Sequence, residues 1–325
     1  MNWSRFLRYL SPCFLYSLVI APVSKAQNVE FLDSIGLQQR MLRFKSQFVS
    51  SRNLDILLPV DYFQSGKAYP VLYWMDGQNA FDDKVAYQSE SLHFDQIVDK
   101  LIRDSVVRPF ILVGVWNSEK RYREFNPSKA FEKLNSITKA AIKAEYGGKP
   151  LSDKYLSFLI SELKPYIDRN FRTLSGAEST TVGGASMGAL ISFYALLEHP
   201  EVFGSAICMS THWPLSRIKD CNACSDGFVK YLSTVDDTAL KDKRIYFDYG
   251  TENLDSWYEP AQQKIDKVLD ERKLSVQLTT VSHKWQGASH SHADWSQRLS
   301  SPLEFIFGLH SDESKADRQY TPGKL

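Results

Sequence analysis

The sequence predicts an α/β architecture: a mostly parallel sheet with helices on both faces. Three observations carry that expectation. Apolar runs at 70–75, 110–115, 204–210 and 244–250 are too short for helices and too continuous for strands with one wet face. Amphipathic stretches separate or follow them, at 90–103, 151–167 and 260–269, with apolar residues at spacings of three and four. Between these lies Thr180-Thr181-Val182, which breaks at Gly183 and Gly184. After Ala185-Ser186-Met187-Gly188, Leu190, Ile191, Tyr194 and Leu197 fall at helical spacing. Strand, sharp turn and helix follow one another there without a linker.

Taken in order, 41–49 and 54–60 read as an edge hairpin, and 70–75 as a buried strand ending in the turn Asp76-Gly77. A helix is expected over 90–103, with Leu92, Phe94, Ile97, Val98 and Leu101 on one side, and a strand over 110–115. Residues 130–150 are helix-prone but patchy, as in an insertion or lid near a cleft. Tyr155, Phe158, Leu159, Leu163 and Tyr166 make 151–167 amphipathic. Later strands are expected at 204–210, 244–250 and 275–281, and a last helix over 295–307. No low-complexity linker or internal repeat divides the chain. One catalytic domain is expected over residues 27–325, its core at about 40–310 and a polar tail from about 311.

The bulk properties exclude several function classes. The 325 residues carry a formal net charge of +1 without a basic block, so no nucleic-acid groove is expected. Residues 1–26 resemble an export signal: Arg5 and Arg8 precede a short apolar run, and Ser24-Lys25-Ala26 presents small residues for cleavage before Gln27. That run is short and broken by Pro12 and Pro22, which argues against a membrane anchor. The mature protein is then expected to be exported, periplasmic or extracellular, and slightly acidic. An oxidising compartment would permit a Cys221–Cys224 loop disulfide, while Cys208 in an apolar run reads as a small buried hydrophobe.

The chemistry starts at Ser186. In a G-x-S-x-G turn the strand delivers the serine to a strained corner, and the helix N-terminus leaves backbone N–H groups free for a developing oxyanion. The partners must follow in the order acid, then histidine. Glu252 and Asp255 both lie after the strand at 244–250, where open α/β sheets place their sites. Asp248 lies inside that strand and reads as a structural acceptor. Among seven histidines, His93, His199 and His310 lie in unremarkable surface contexts. His290 follows the last strand through a small-residue loop, with His292 and His283 as rivals. A zinc cluster of His283, His290, His292 and Asp294 matches no compact ligand spacing, so neither metal nor other cofactor is expected.

At this point the motifs resemble a known family. Pro70-Val71-Leu72-Tyr73-Trp74-Met75-Asp76-Gly77-Gln78-Asn79-Ala80-Phe81-Asp82 is similar to a stretch typical of the Putative esterase family. That family includes enterochelin esterases, S-formylglutathione hydrolase, feruloyl esterases and mycobacterial mycolyltransferase antigens. Val113-Gly114-Val115-Trp116-Asn117, the run from Arg121 to Pro127, and the elbow Gly184-Ala185-Ser186-Met187-Gly188 extend the resemblance. So do the block at 246–260, whose matching acid is Asp255, and Gly287-Ala288-Ser289-His290-Ser291-His292, where His292 replaces a usual acidic residue.

The resemblance implies an α/β-hydrolase fold and acyl transfer to water, with Ser186 as nucleophile, His290 as base and Asp255 as orienting acid. It also implies oxyanion donors at the backbone N–H of Met187 and of Gln78. The substrate would be a small-molecule or carbohydrate-linked ester, without nucleic acid or stable membrane insertion. Trp74, Phe81, Trp116, His212, Trp213 and Trp257 stand at or near strand ends and are candidates for lining its cleft. An acyltransferase of the same fold would differ in preferring an alcohol acceptor over water. A silent binding protein would have no reason to keep Ser186, Asp255 and His290.

Overall fold

The computed structural model describes residues 29–31, 37–217 and 222–309. Residues 1–26, Cys221, His310 and the tail from 311 lie outside them, as does the Cys224 side chain. A nine-stranded sheet runs through the described residues. Its strands are β1 (Val29–Phe31), β2 (Leu37–Phe44), β3 (Arg52–Leu58), β4 (Val71–Met75) and β5 (Ile111–Val115), then β6 (Thr180–Ala185), β7 (Ser205–Met209), β8 (Arg244–Gly250) and β9 (Thr279–Trp285). The spatial order is β1-β2-β3-β5-β4-β6-β7-β8-β9. The first three pair antiparallel, as do β3 and β5, and every later pairing is parallel.

Burial explains the composition of the strands. Every residue of β4, β5, β6 and β7 is buried, so those runs are apolar without alternation. Along β4 the pleat sends Val71, Tyr73 and Met75 into one core and Leu72 and Trp74 into another. The first core is covered by helices Met187–Glu198 and Glu259–Val276, the second by Phe94–Arg103 and Ser300–Phe307. Helix Met187–Glu198 is buried from Met187 to Leu197, which is why it is apolar all round.

Several boundaries differ from the sequence expectation. The helix expected from 90 starts at Phe94, because His93 stands at φ 49° and breaks the helical path. The stretch 151–167 contains a π-turn over Leu159–Leu163. The last helix is two pieces, His292–Arg298 and Ser300–Phe307. The largest shift concerns 275–281: Ser275 and Val276 end the preceding helix, and β9 runs over Thr279–Trp285. This edge strand is only half-buried, so its sequence lacks the apolar run that marks the inner strands. His283 consequently lies within β9, opposite Asp248, and not at a strand end.

Candidate active site

The parallel strands end on one side of the sheet, and the chain turns there carry the site. At the end of β6, Ser186 takes φ 58° and ψ −123°, a costly backbone state for a residue with a Cβ. Its N–H donates to the Met209 carbonyl at 2.9 Å, and its carbonyl accepts from the His212 and Leu190 N–H groups. Glycine is required beside it: a Cβ on Gly184 would lie 2.7 Å from the Gly188 carbonyl carbon, where helix and strand cross. The turn therefore pushes the Ser186 side chain out while strand and helix close beneath it.

His290 Nε2 lies 2.9 Å from Ser186 Oγ, and His290 Nδ1 lies 2.5 Å from Asp255 Oδ1. Asp255 is fully buried in the short turn Asn253–Trp257 after β8, whereas Glu252 is exposed. Asp255 Oδ2 accepts from the Gly250 N–H at 2.7 Å and the Ser210 hydroxyl at 2.6 Å. Burial pushes the Asp255 carboxyl up, but its hydrogen bonds with His290 and Ser210 and the charges of His290 and Arg298 outweigh that and hold it below the usual value.

His283 and His292 make other contacts, although His292 also lines the cavity beside Ser186. The His283 ring stands against Tyr246 and Trp285. His292 opens a helix, its ring near Trp295 and Tyr87. Asp294 accepts from the Ser289 N–H and caps the loop that carries His290. Among the described residues no three His, Cys, Asp or Glu side chains are grouped to hold a metal ion.

Opposite Ser186, the turn after β4 is bound tightly. Asp76, at φ 59°, takes a bidentate pair from Arg121 at 2.7 and 2.6 Å, and Asn117 Nδ2 at 2.6 Å. Gln78 Oε1 accepts from the Asn117 N–H. A Cβ on Gly77 would lie 2.2 Å from the Gly114 carbonyl carbon, so the turn sits directly on β5. Gln78 and Met187 line the same cavity, and among the described residues neither backbone N–H has a protein acceptor.

That cavity measures about 590 Å³ and opens over Ser186 and His290. Trp74 and His212 are among the residues that line it. Phe81, Trp116, Trp213 and Trp257 are not among the residues that line it, and each has another partner. Phe81 packs on Phe94, and Trp116 donates to Asp55. Trp213 is buried among Phe193, Phe228 and Phe247 and donates to Gln262, while Trp257 packs half-buried on the core. His212 Nε2 faces the Ser216 carbonyl, which can only accept, so Nδ1 accepts from the Tyr258 hydroxyl at 2.8 Å. Burial, reinforced by the charges of His290 and Arg121, holds His212 down to about 3, so it is neutral near pH 7.

Sequence reasoning read Asp248 as a structural acceptor but gave no role to Arg121, Tyr87, Tyr122, Ser210 or Arg298. Arg121, Tyr87 and Tyr122 line the cavity, and a buried group formed by Ser210, Asp248 and Arg298 stands behind Asp255. Arg121 was visible only as part of a motif without a role. Nothing in the local sequence marks Arg298 as fully buried, since its partners lie 50 and 88 residues away.

A sheet of this order, with a serine at a strained strand-to-helix turn and an acid and histidine after later strands, defines the α/β-hydrolase fold. A family model described as Putative esterase matches residues 46–306, and the chain belongs to that family. It is a carboxylic-ester hydrolase. The chain is 21% identical over 267 residues to the uncharacterized protein YbbA of Bacillus subtilis, covering 79% of this chain and 93% of that one. It is 29% identical over 184 residues to an endo-1,4-beta-xylanase/feruloyl esterase of Xylanibacter ruminicola, covering 55% of this chain and 21% of that longer protein. Among solved structures, a ferulic acid esterase superposes with a TM-score of 0.60 at 19% identity, over 83% of this chain and 97% of that one. The enterobactin esterase of Shigella flexneri superposes at 0.61 and 17% identity, over 86% and 60%.

Proposed function

We propose that this chain is an exported serine esterase working through an acyl-enzyme on Ser186, within one catalytic domain left after removal of residues 1–26. The observation that carries the reading is the continuous line Ser186 Oγ, His290 Nε2 and Nδ1, Asp255 Oδ1, at 2.9 and 2.5 Å. Ser186 Oγ attacks the ester carbonyl carbon as its proton passes to His290 Nε2. Asp255 accepts the Nδ1–H bond, fixing the tautomer, and offsets the imidazolium charge. The carbonyl oxygen takes the electron pair and faces the N–H groups of Met187 and Gln78. Collapse breaks the bond to the alcohol, which leaves with the proton from His290. Water then repeats the sequence on the acyl-enzyme and releases the carboxylic acid.

The cavity favours a small ester with an aromatic acyl group, free or carbohydrate-linked. Its lining sets Trp74, Tyr87, Tyr122 and Trp295 around the serine, and relatives bear the names of ferulic acid and enterobactin esterases. Among the described residues no helix is long and apolar enough to cross a membrane.

The deciding experiment treats the purified protein with an organophosphonate and maps the adduct by peptide mass spectrometry. Stoichiometric labelling of Ser186 with loss of ester hydrolysis is expected. Hydrolysis that survives without Ser186 labelling would overturn the reading. N-terminal sequencing of the exported form should begin at Gln27.

A further inference from the structure

Asp255 and two charged side chains behind it, on the side away from His290, are sealed from water. Asp248 and Asp255 are both 0% exposed, and Arg298 is 1% exposed. Arg298 Nε lies 3.2 Å from Asp248 Oδ2, and Nη2 lies 3.3 Å from Oδ1. The same Nη2 lies 3.6 Å from Asp255 Oδ2, too long for a direct hydrogen bond. Ser210 fills the gap.

The direction of the Ser210 hydrogen bonds follows from its neighbours. Its oxygen receives Trp295 Nε1 at 2.9 Å and Arg298 Nη2 at 2.7 Å. An indole N–H and a guanidinium only donate, so both lone pairs of the hydroxyl are taken. Its one proton must therefore go to Asp255 Oδ2, 2.6 Å away. Ser210 stands at φ 46° just after β7, with its N–H on Asp248 Oδ1, so backbone and side chain are both tied to the group. Asp255 Oδ2 is thereby occupied twice, by Gly250 and Ser210, and Oδ1 is left for His290.

The charges also balance with a purpose. Burial pushes the Asp248 carboxyl up and the Arg298 guanidinium opposes that; with both carboxylates ionised, the group carries one net negative charge next to His290. When His290 takes the Ser186 proton, that excess is neutralised, so the group stabilises the charged step more than the resting state. Without Arg298, two buried carboxylates would face each other, and one would take a proton. We propose that Arg298, acting through Ser210 and balanced by Asp248, is a positioning residue that keeps Asp255 ionised and aimed at His290 during acyl transfer. The proposal rests on Ser186, Asp255 and His290 acting as described above.

Other titratable groups facing this site include Tyr246 on Asp248, Tyr258 beside His290 and His212, and His292 on the far side of the His290–Trp295 contact; the Cys208 thiol near Asp248 is pushed well up by burial and stays neutral. Burial pushes both phenols well up and both His212 and His292 down, which favours the neutral form of each near pH 7. The charges acting on the His290–Asp255 pair from this side are then those of Arg298 and Asp248.

The test is a set of kcat and KM profiles from pH 5 to 10 for Ser210→Ala, Arg298→Met, Asp248→Asn and the Arg298→Met/Asp248→Asn double variant. Losing a cation or a donor raises the proton affinity of the His290–Asp255 pair. Arg298→Met and Ser210→Ala should therefore move the acid limb of kcat/KM upward by about one pH unit. They should lower kcat at pH 7 by about 10- to 100-fold, with partial recovery at high pH and little change in KM. Asp248→Asn removes a like charge and should move the limb downward, and the double variant should return it toward wild type.

Opposed shifts with mutual compensation are not what a packing defect produces. Equal losses of kcat at every pH, with the limb unmoved, would overturn the proposal. If Arg298→Met does not fold, the Ser210→Ala and Asp248→Asn profiles decide it. Ser186→Ala is run in the same series. Full activity there would bring down the acyl-enzyme reading, whereas an inactive Ser186→Ala with unmoved limbs elsewhere would reject only the role of Arg298.

Discussion

The two sides of the cavity are built differently. Behind Ser186, the Asp255, Ser210, Asp248 and Arg298 side chains are sealed, and nearly every polar atom has a partner. One exception is Arg298 Nη1, which is buried without an acceptor among the described residues. The outer rim is loose by contrast: Tyr87 is 65% exposed, Tyr122 37%, and the Arg217 side chain 62%. Removing buried charges from water costs several kcal/mol per ion, and an apolar group would serve stability as well. The inner side therefore makes sense as a device for fixing charge and geometry. The rim can change its contacts at little cost and is where preference between esters would be set.

The sharpest way to break this contrast is to exchange carboxylates across it. Asp255→Asn should lower kcat by about 10²–10⁴-fold, because the amide cannot stabilise the imidazolium. Glu252→Gln, three residues earlier but exposed, should change kcat by less than about threefold. Steady-state kinetics with circular dichroism as a folding control gives both numbers. The reverse ranking would move the acid to the rim and remove the distinction.

A second variant tests the opposite wall. Gly77→Ala places a methyl 2.2 Å from the Gly114 carbonyl carbon, so the turn bearing Gln78 must move. If the Gln78 N–H faces the oxyanion, kcat should fall about 10²–10³-fold, the usual cost of one such donor, with KM changing less. A KM-only effect would show that the turn merely shapes the pocket.

How much of this was legible in the sequence follows the same contrast. The elbow at Ser186 was readable because each of its demands is local: a buried strand, small residues where helix and strand cross, and a helix at once. The inner strands were readable because burial on both faces makes them continuously apolar. β9 was displaced by four residues because an edge strand has no such run. The acid could not be chosen between Glu252 and Asp255 by position. Burial separates the two, Asp255 enclosed and Glu252 exposed, and it depends on contacts with Ser210 after β7 and the loop after β9. Trp74 lines the cavity, but Trp116 and Trp213 do not, for a related reason. Trp116 and Trp213 stand at strand ends as cleft residues would, but their N–H groups find Asp55 and Gln262, 61 and 49 residues away.

The rim itself supplies a smaller test. Tyr87 borders the cavity with its ring 6.4 Å from that of His292. Tyr87→Ala should raise KM for an aromatic ester by about three- to tenfold and leave kcat within about twofold, as loss of a ring contact made equally in ground and transition states. An unchanged KM for aromatic esters would mean that the aromatic group binds elsewhere.

The smallest expected effect belongs to His292, which stands where rim and inner side meet. A charged His292 would disfavour imidazolium at His290, so removing it should move the acid limb of kcat/KM to higher pH. Its environment decides how far. Burial holds the His292 ring below its ordinary value, while Asp76 and Glu90 pull it up and His290 and Arg121 push it further down. Asp76 is already engaged by Arg121 and Asn117, so its pull is largely spent. The net direction is downward, so His292 is charged over less of the acid range than an ordinary imidazole. His292→Ala should shift the limb upward by no more than about half a unit, and only its most acidic part. His292→Glu introduces a full negative charge at the same place and should shift it further in the same direction. Profiles from pH 5 to 9, with and without EDTA, give the answer, and the chelator should change none of them. An upward shift of more than one unit in His292→Ala would mean that the wild-type ring is charged and that burial does not prevail there. In that case the charge balance at His290 would be set from the rim as well as from Arg298.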